Sequence, residues 1–110
     1  MKARLRADLR AAMKDRNPLD ARVLRSLVAA IDNAEAPAVS QEQTAAVHHQ
    51  FEHRSAEVER LWLSWPQVHE VLLQEMQERE RAAAEFDRLD KPDHAAILRE
   101  EAGVIKRYLA

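Results

Sequence analysis

The 110-residue sequence contains no cysteine, one glycine and five aromatic residues. Without cysteine it has no disulfide framework, no thiol nucleophile and no cysteine-ligated zinc site. A single glycine excludes a glycine-rich phosphate-binding loop. No apolar run approaches the roughly 20 residues that a membrane-spanning helix needs, and the amino-terminal segment lacks the apolar core of a signal peptide. We therefore expect a cytoplasmic protein with no membrane association.

What the chain does contain is typical of a small helical domain. Hydrophobic residues make up 46% of it and charged residues 33%. Apolar residues recur at three- and four-residue steps over residues 2–15, 19–35, 65–89 and 91–109. The composition and this period predict an all-α fold, with a single domain over residues 1–110. Short turns after the first and third segments predict about four helices in two antiparallel hairpins.

Capping residues indicate where the later helices begin. Asn17 is a good N-cap, and Pro18 suits the first helical position, where a missing N–H costs nothing. Ser64 and Gln67 fit a capping box ahead of the third helix. Asp90 is predicted to cap the fourth helix.

Two features of the second hairpin concern its packing. Trp62 and Trp65 flank the cap of the third helix. They either close one end of the core, as large aromatic residues usually do, or form an exposed anchor for a protein partner. Gly103 lies inside the fourth helix, where glycine costs about 1 kcal/mol relative to alanine. We expect it to mark a close approach between helices.

Residues 37–63 are predicted to be a loop with partial helix. Pro37 ends the second helix, and Ser40 with Gln43 permits a short helix over residues 41–53. This segment carries the side chains that most resemble metal ligands: His48, His49, Glu52 and His53. A closed metal site needs more ligands than the two that share a helix face. We therefore interpret them as surface residues and expect no metal and no cofactor.

Charge is unevenly distributed along the chain. Residues 1–25 hold eight Lys/Arg and three Asp, a net charge of +5, whereas residues 26–110 have a net charge of −7. A basic surface attracts the phosphates of nucleic acid. The candidate phosphate contacts are Arg4, Arg6, Arg10, Lys14, Arg22 and Arg25. The alternative is a solvated flank whose long side chains cover the edges of the core.

Glu75 and Arg79 lie four residues apart on the apolar face of the third helix. Two charges on a packing face indicate either a recognition or catalytic pair, or an ion pair that bridges to a neighbouring helix. We favour an interhelical polar pair, because one Glu with one Arg provides neither a nucleophile nor a second acid–base group. No catalytic residue is assigned, and we expect no intrinsic enzymatic activity.

Four stretches of the chain resemble the YqeY-like family, which is related to the GatB subunit of the glutamine-dependent aminoacyl-tRNA amidotransferase. In chain order they are LRADLRAAMKDRN (5–17), VLRSLVAAIDNAE (23–35), LLQEMQERERAAAEFDRLD (72–90) and ILREEAGVIKRYL (97–109). The ends of the second and fourth stretches are the most specific, and the Glu75–Arg79 spacing falls on an ExxxR-like step of the family. The stretches cover more than half of the chain in the family's order.

The resemblance implies a cytosolic helical accessory domain associated with tRNA-dependent amidation. In the amidotransferase the related tail contacts tRNA, whereas ammonia production and amide transfer lie in other domains. Carbon–nitrogen ligase activity, with glutamine as the amido-nitrogen donor, is implied by this kinship alone. Family members usually continue into a second small helical domain, which we do not expect in this sequence.

We therefore expect a non-catalytic accessory or binding module, with tRNA or a tRNA-amidation complex as candidate partners. The alternative is a protein–protein interaction or structural domain with no role in nucleic-acid binding. A further alternative is the glutamine-dependent ligase activity that the kinship suggests.

Overall fold

The structure is a computed structural model that describes residues 1–36 and 62–110, and these residues form four helices and no β-strand. The helices are α1 (Lys2–Lys14), α2 (Pro18–Glu35), α3 (Trp65–Arg88) and α4 (Pro92–Lys106). Helix α1 packs on α2, α3 packs on α4, and α2 contacts both helices of the second hairpin. The predicted all-α bundle is confirmed, and its helices pair in sequence order. The predicted helix over residues 41–53 and its histidines lie outside the described residues.

Both hairpins end their first helix in the same way. After α1, Arg16 has a φ of 55°, and the backbone N–H of Asn17 donates to the carbonyl of Ala12 at 2.9 Å. After α3, Asp90 has a φ of 59°, and the next backbone N–H donates to the carbonyl of Phe86 at 2.8 Å. These contacts are those of a Schellman motif, in which glycine usually occupies the left-handed position. A proline then opens each second helix, so the chain reverses within a few residues.

The predicted caps of α2 and α3 are confirmed. The side chain of Asn17 accepts a hydrogen bond from the backbone N–H three residues on, at 3.2 Å. Ser64 and Gln67 form the reciprocal capping box at the start of α3. The predicted cap of α4 is wrong, because Lys91 occupies the N-cap position and makes no side-chain cap hydrogen bond. Asp90 instead takes the left-handed position that ends α3.

The core lies where the two hairpins meet, and every helix contributes to it. Its largest fully buried side chains are Leu5, Val23, Leu27, Ile31, Leu72 and Ile105. Burying a side chain of this size contributes about 1.5–3 kcal/mol. Across α1 to α4, no helix combines the length and the apolar character needed to cross a membrane.

Gly103 does not lie on the face of α4 that packs against the core. A Cβ added at Gly103 would meet no atom within 4 Å, so the prediction of a close approach is wrong. Ala102 and Ile105 are buried, and the neighbouring position points about 100° away from Ala102 on a helix. Ile97, five residues before Ala102, is 46% exposed.

The interpretation that the tryptophans close the core is also wrong. Trp62 is 76% exposed and Trp65 is 46% exposed. Trp62 precedes α3, where its ring centroid lies 5.8 Å from Nζ of Lys2. Trp65 stands in the first turn, and its ring lies edge-on to that of His69 at 5.7 Å. The buried section of α3 begins only at Val68, and both rings precede it.

Candidate functional site

The six candidate phosphate contacts differ in whether they have acidic partners within the fold. Arg4 and Arg6, near the start of α1, have acidic neighbours. The Nε atom of Arg4 lies 4.0 Å from Asp8, and an Nη atom of Arg6 lies 3.9 Å from Asp32. Both cations are therefore partly neutralised within the fold, and their attraction for an external anion is reduced.

Arg4 also belongs to the contact between α1 and the end of α4. Its guanidinium carbon lies 4.7 Å from the ring centroid of Tyr108. The hydroxyl of Tyr108 donates to Asp8 at 2.6 Å. Burial, followed by this hydrogen bond, raises the pKa of Tyr108 to about 12. Next to it, Arg107 donates to Asp20 at 3.0 Å. These pairs attach the end of α4 to the first hairpin.

Arg22 was predicted to face a nucleic acid, but its guanidinium turns toward the second hairpin. It donates to Glu101 at 2.8 Å, although its side chain remains 59% exposed. Glu101 is a buried residue of α4. Arg22 is thus engaged in holding the two hairpins together, which the helical period of α2 alone did not indicate.

Arg10, Lys14 and Arg25 lie close to the turn of the first hairpin. Arg10 and Lys14 are exposed and have no carboxylate partner among the described residues. An Nη atom of Arg25 lies 3.6 Å from Sδ of Met13. Met13 follows Arg10 by three residues, so the two share a face of α1. The side chain of Arg25 therefore brings a cation of α2 to the same end of the hairpin.

Arg16 adds a fourth cation at this end. It occupies the left-handed position of the turn, is exposed, and has no acidic partner in the described parts of the chain. We refer to Arg10, Lys14, Arg16 and Arg25 as the basic hairpin end. Arg16 was not among the predicted contacts, because it lies in the turn and not on a helix face. The single acidic group directly beside these cations in sequence is Asp15.

A shallow groove lies within the basic hairpin end. Its volume is about 460 Å³, and it is open to solvent. Its apolar lining, which we call the floor, consists of Ala12, Met13, Pro18 and Ala21, and Arg16, Asn17 and Arg25 line it as well. Met13 is 53% exposed, which is unusual for so large an apolar side chain on a helix that packs against a neighbour.

Glu75 and Arg79 belong to an interhelical polar cluster that joins three helices. Arg79 donates to Glu75 at 3.2 Å, to Glu101 at 3.1 Å and to the hydroxyl of Ser26 at 3.0 Å. Arg22 completes the set through the other oxygen of Glu101. The described side chains leave no buried polar atom without a hydrogen-bond partner. Each charge in the cluster therefore has its partner in place.

This cluster has the properties of a structural element. The hydroxyl of Ser26 lies within hydrogen-bond distance of the carbonyls of Arg22 and Val23 and accepts from Arg79. Among the described residues, no carboxylate or imidazole is placed to activate it as a nucleophile. Glu101 was missed by the sequence analysis, since its partners lie on α2 and α3. The sequence signal that points to Glu101 is a charged residue among the apolar residues of α4.

The described ranges, 1–36 and 62–110, contain no group of three or more His, Asp or Glu side chains arranged to hold a metal ion. His69 and His94 are each in contact with an aromatic ring, Trp65 and Phe86 respectively.

Comparison with known proteins finds no match to this chain among family models, curated proteins or solved structures.

Proposed function

We propose that this chain is a non-catalytic RNA-binding module that contacts its partner through the basic hairpin end. The supporting observation is that Arg10, Lys14, Arg16 and Arg25 gather at one end of the first hairpin without a carboxylate partner among the described residues. Cations of this kind interact with phosphates and release counterions when they do so. Other basic residues of the hairpin, such as Arg22, pair with acidic residues of the same chain.

The resemblance to the YqeY-like family suggests tRNA as the RNA, and an accessory role in cytoplasmic tRNA amidation as the context. Carbon–nitrogen ligase activity is not part of the proposal. The polar cluster around Arg79 holds its groups in mutual ion pairs, and among the described residues it provides no nucleophile beside a general base.

The test is a titration of the protein with tRNA at two salt concentrations. Wild-type protein should bind saturably at low salt and lose affinity as salt rises. The variant Arg10→Glu/Lys14→Glu should weaken binding and lower the salt slope by about 2, since two phosphate contacts are removed. The matched control is Arg81→Glu/Lys91→Glu, which changes the net charge equally on the second hairpin. An equal loss in both variants, or no salt-sensitive binding at all, would contradict the proposal.

The second candidate function is a protein interaction through Trp62 and Trp65. The exposure of both rings favours it, because tryptophan is enriched among residues that dominate binding energy at interfaces. A pull-down from native cytosol, with RNA and protein both identified, separates the two functions. Loss of a protein partner in Trp62→Ala/Trp65→Ala would support this alternative, whereas loss of RNA in the Arg10/Lys14 variant would support the first.

A further inference from the structure

We propose that the groove of the basic hairpin end receives an unpaired RNA base, so that the module prefers single-stranded or loop RNA to duplex RNA. This inference rests on the RNA contact proposed above and specifies which part of the RNA is recognised. It starts from the combination of an apolar floor with two arginines in one groove.

Phosphate contacts alone do not require such a groove. Cations on a convex helix surface are sufficient to bind a duplex backbone, and that binding is insensitive to apolar surface. Here the floor formed by Ala12, Met13, Pro18 and Ala21 is apolar, and Met13 is more than half exposed on it. An apolar floor is suited to the flat face of a base, which only unpaired nucleotides present.

The two arginines supply the remaining part of such a site. A guanidinium group is planar and stacks on bases, which the ammonium group of lysine does not do. Arg25 is held beside the floor by its contact with Met13 at 3.6 Å. Arg16 lies at the turn, where its left-handed backbone places it among the residues that line the groove.

Charge complementarity selects a polyanion as the occupant. Arg10 and Lys14 lie one turn apart on α1, about 6 Å along the helix axis. Both are exposed, lie three residues before and one residue after Met13 of the groove, and have no carboxylate partner among the described residues. They are placed to hold the phosphates next to a base that lies in the groove. The volume of about 460 Å³ falls in the range of roughly 300–1,000 Å³ typical of small-ligand sites.

The decisive variants keep the positive charge and change only the shape of the group that carries it. Arg16→Lys/Arg25→Lys retains both cations at the groove but removes both guanidinium planes. The matched control is Arg81→Lys/Arg88→Lys, which makes the same exchange on the second hairpin, outside the basic hairpin end. Circular dichroism should show the same helix content in both variants and the wild type, since all four side chains are exposed.

The measurement is fluorescence anisotropy with a labelled single-stranded oligoadenylate of about twelve nucleotides, and with a duplex RNA of the same length. Wild-type protein should bind the single strand more tightly. The Arg16/Arg25 variant should lose about fivefold or more in affinity for the single strand, as expected from the loss of one stacked base. Its affinity for the duplex, and the affinity of the control variant for both RNAs, should stay within about twofold of the wild type.

Equal affinity of the wild type for both RNAs, or an unchanged preference in the Arg16/Arg25 variant, would overturn this inference while leaving the RNA-binding proposal in place. Displacement of the single strand by polyglutamate of equal total charge would also overturn it, because the groove would then respond to negative charge alone. If neither RNA binds in a salt-sensitive manner, both proposals fail.

Discussion

Arg79 and Glu101 face each other across the second hairpin, with Nε and Oε1 separated by 3.1 Å and side chains only 15% and 12% exposed. Glu101 also accepts from Arg22 of α2, so the pair lies where three helices meet. Charged groups at such low exposure are costly to bury unless their partners are present. Together with Arg22, the pair therefore constrains how the two hairpins cross.

Removing one member of this pair should be more harmful than removing both. We expect Arg79→Met to lower the free energy of unfolding by about 3 kcal/mol, because Glu101 would then be buried with a single cation. The double variant Arg79→Met/Glu101→Met should lose less than the sum of the single changes, since neither member of the pair is then left buried without the other. Urea denaturation of the wild type, both single variants and the double variant measures this coupling.

Arg22→Met serves as the control for that cycle. Its side chain is 59% exposed, so we expect a loss below about 1 kcal/mol. Strictly additive losses in the Arg79/Glu101 cycle would show that the buried pair is not coupled.

Gly103 offers a site where one substitution should stabilise the fold. We expect Gly103→Ala to raise the free energy of unfolding by about 1 kcal/mol, because alanine is the better helix former and its Cβ would meet no atom within 4 Å. The reciprocal control is Ala84→Gly at an exposed position inside α3, which should lose a similar amount. A destabilised Gly103→Ala variant in thermal or urea unfolding would instead indicate a close neighbour at this position.

The turn of the first hairpin contains a second position at which a substitution should stabilise the fold. Arg16 has a φ of 55°, a conformation that costs a residue with a Cβ roughly 1–2 kcal/mol. Glycine avoids this cost but loses about 0.5–1 kcal/mol more in conformational entropy on folding. We therefore expect Arg16→Gly to stabilise the protein by about 0.5–1 kcal/mol, and Asp90→Gly by less, because aspartate tolerates the left-handed region better. Equilibrium unfolding of both variants tests the order, and a larger gain at Asp90 would contradict it.

Tyr108 should make stability depend on alkaline pH. Its pKa is raised from 10 to about 12 in the folded protein, first by burial and then by the hydrogen bond to Asp8. The folded state therefore favours the neutral phenol. Its stabilising contribution is complete below about pH 10 and is lost as the pH rises from about 10 to about 12.

This titration can be followed directly, since Tyr108 is the only tyrosine of the sequence. The absorbance of the tyrosinate should appear with a midpoint near pH 12. In Asp8→Asn the midpoint should move down but remain above 10, because burial still opposes ionisation. A wild-type midpoint at the ordinary value would contradict the buried Tyr108–Asp8 contact.

Local signals in the sequence predicted the helices well. Asn17, Ser64 and Gln67 act on backbone groups within three residues, so their capping roles were visible without knowledge of the fold. The turns at Arg16 and Asp90 were likewise indicated by the prolines that follow them. These signals did not indicate which residue takes the left-handed conformation. Asp90 was therefore wrongly expected to be a cap.

Contacts between elements were much harder to predict. Whether Arg22 reaches Glu101 depends on the angle at which α2 crosses α4. The spacing of apolar residues within a single helix gives no information about that angle. Burial of Trp62 and Trp65 was favoured because large aromatic residues are usually buried. Both lie at the start of α3, however, and are exposed. At the candidate site, the charge of residues 1–25 was visible in the sequence, but the separation of Arg22 from Arg10 and Lys14 required the structure.

The matching turns of the two hairpins have a consequence for how the chain folds. Each hairpin pairs helices that are neighbours in sequence, so most of its contacts close short loops, and low contact order favours rapid folding. Native-state hydrogen exchange should therefore reveal two cooperative units, one per hairpin. Residues such as Arg79 and Tyr108, which connect the units, should form their contacts late. Their substitution should then accelerate unfolding more than it slows folding.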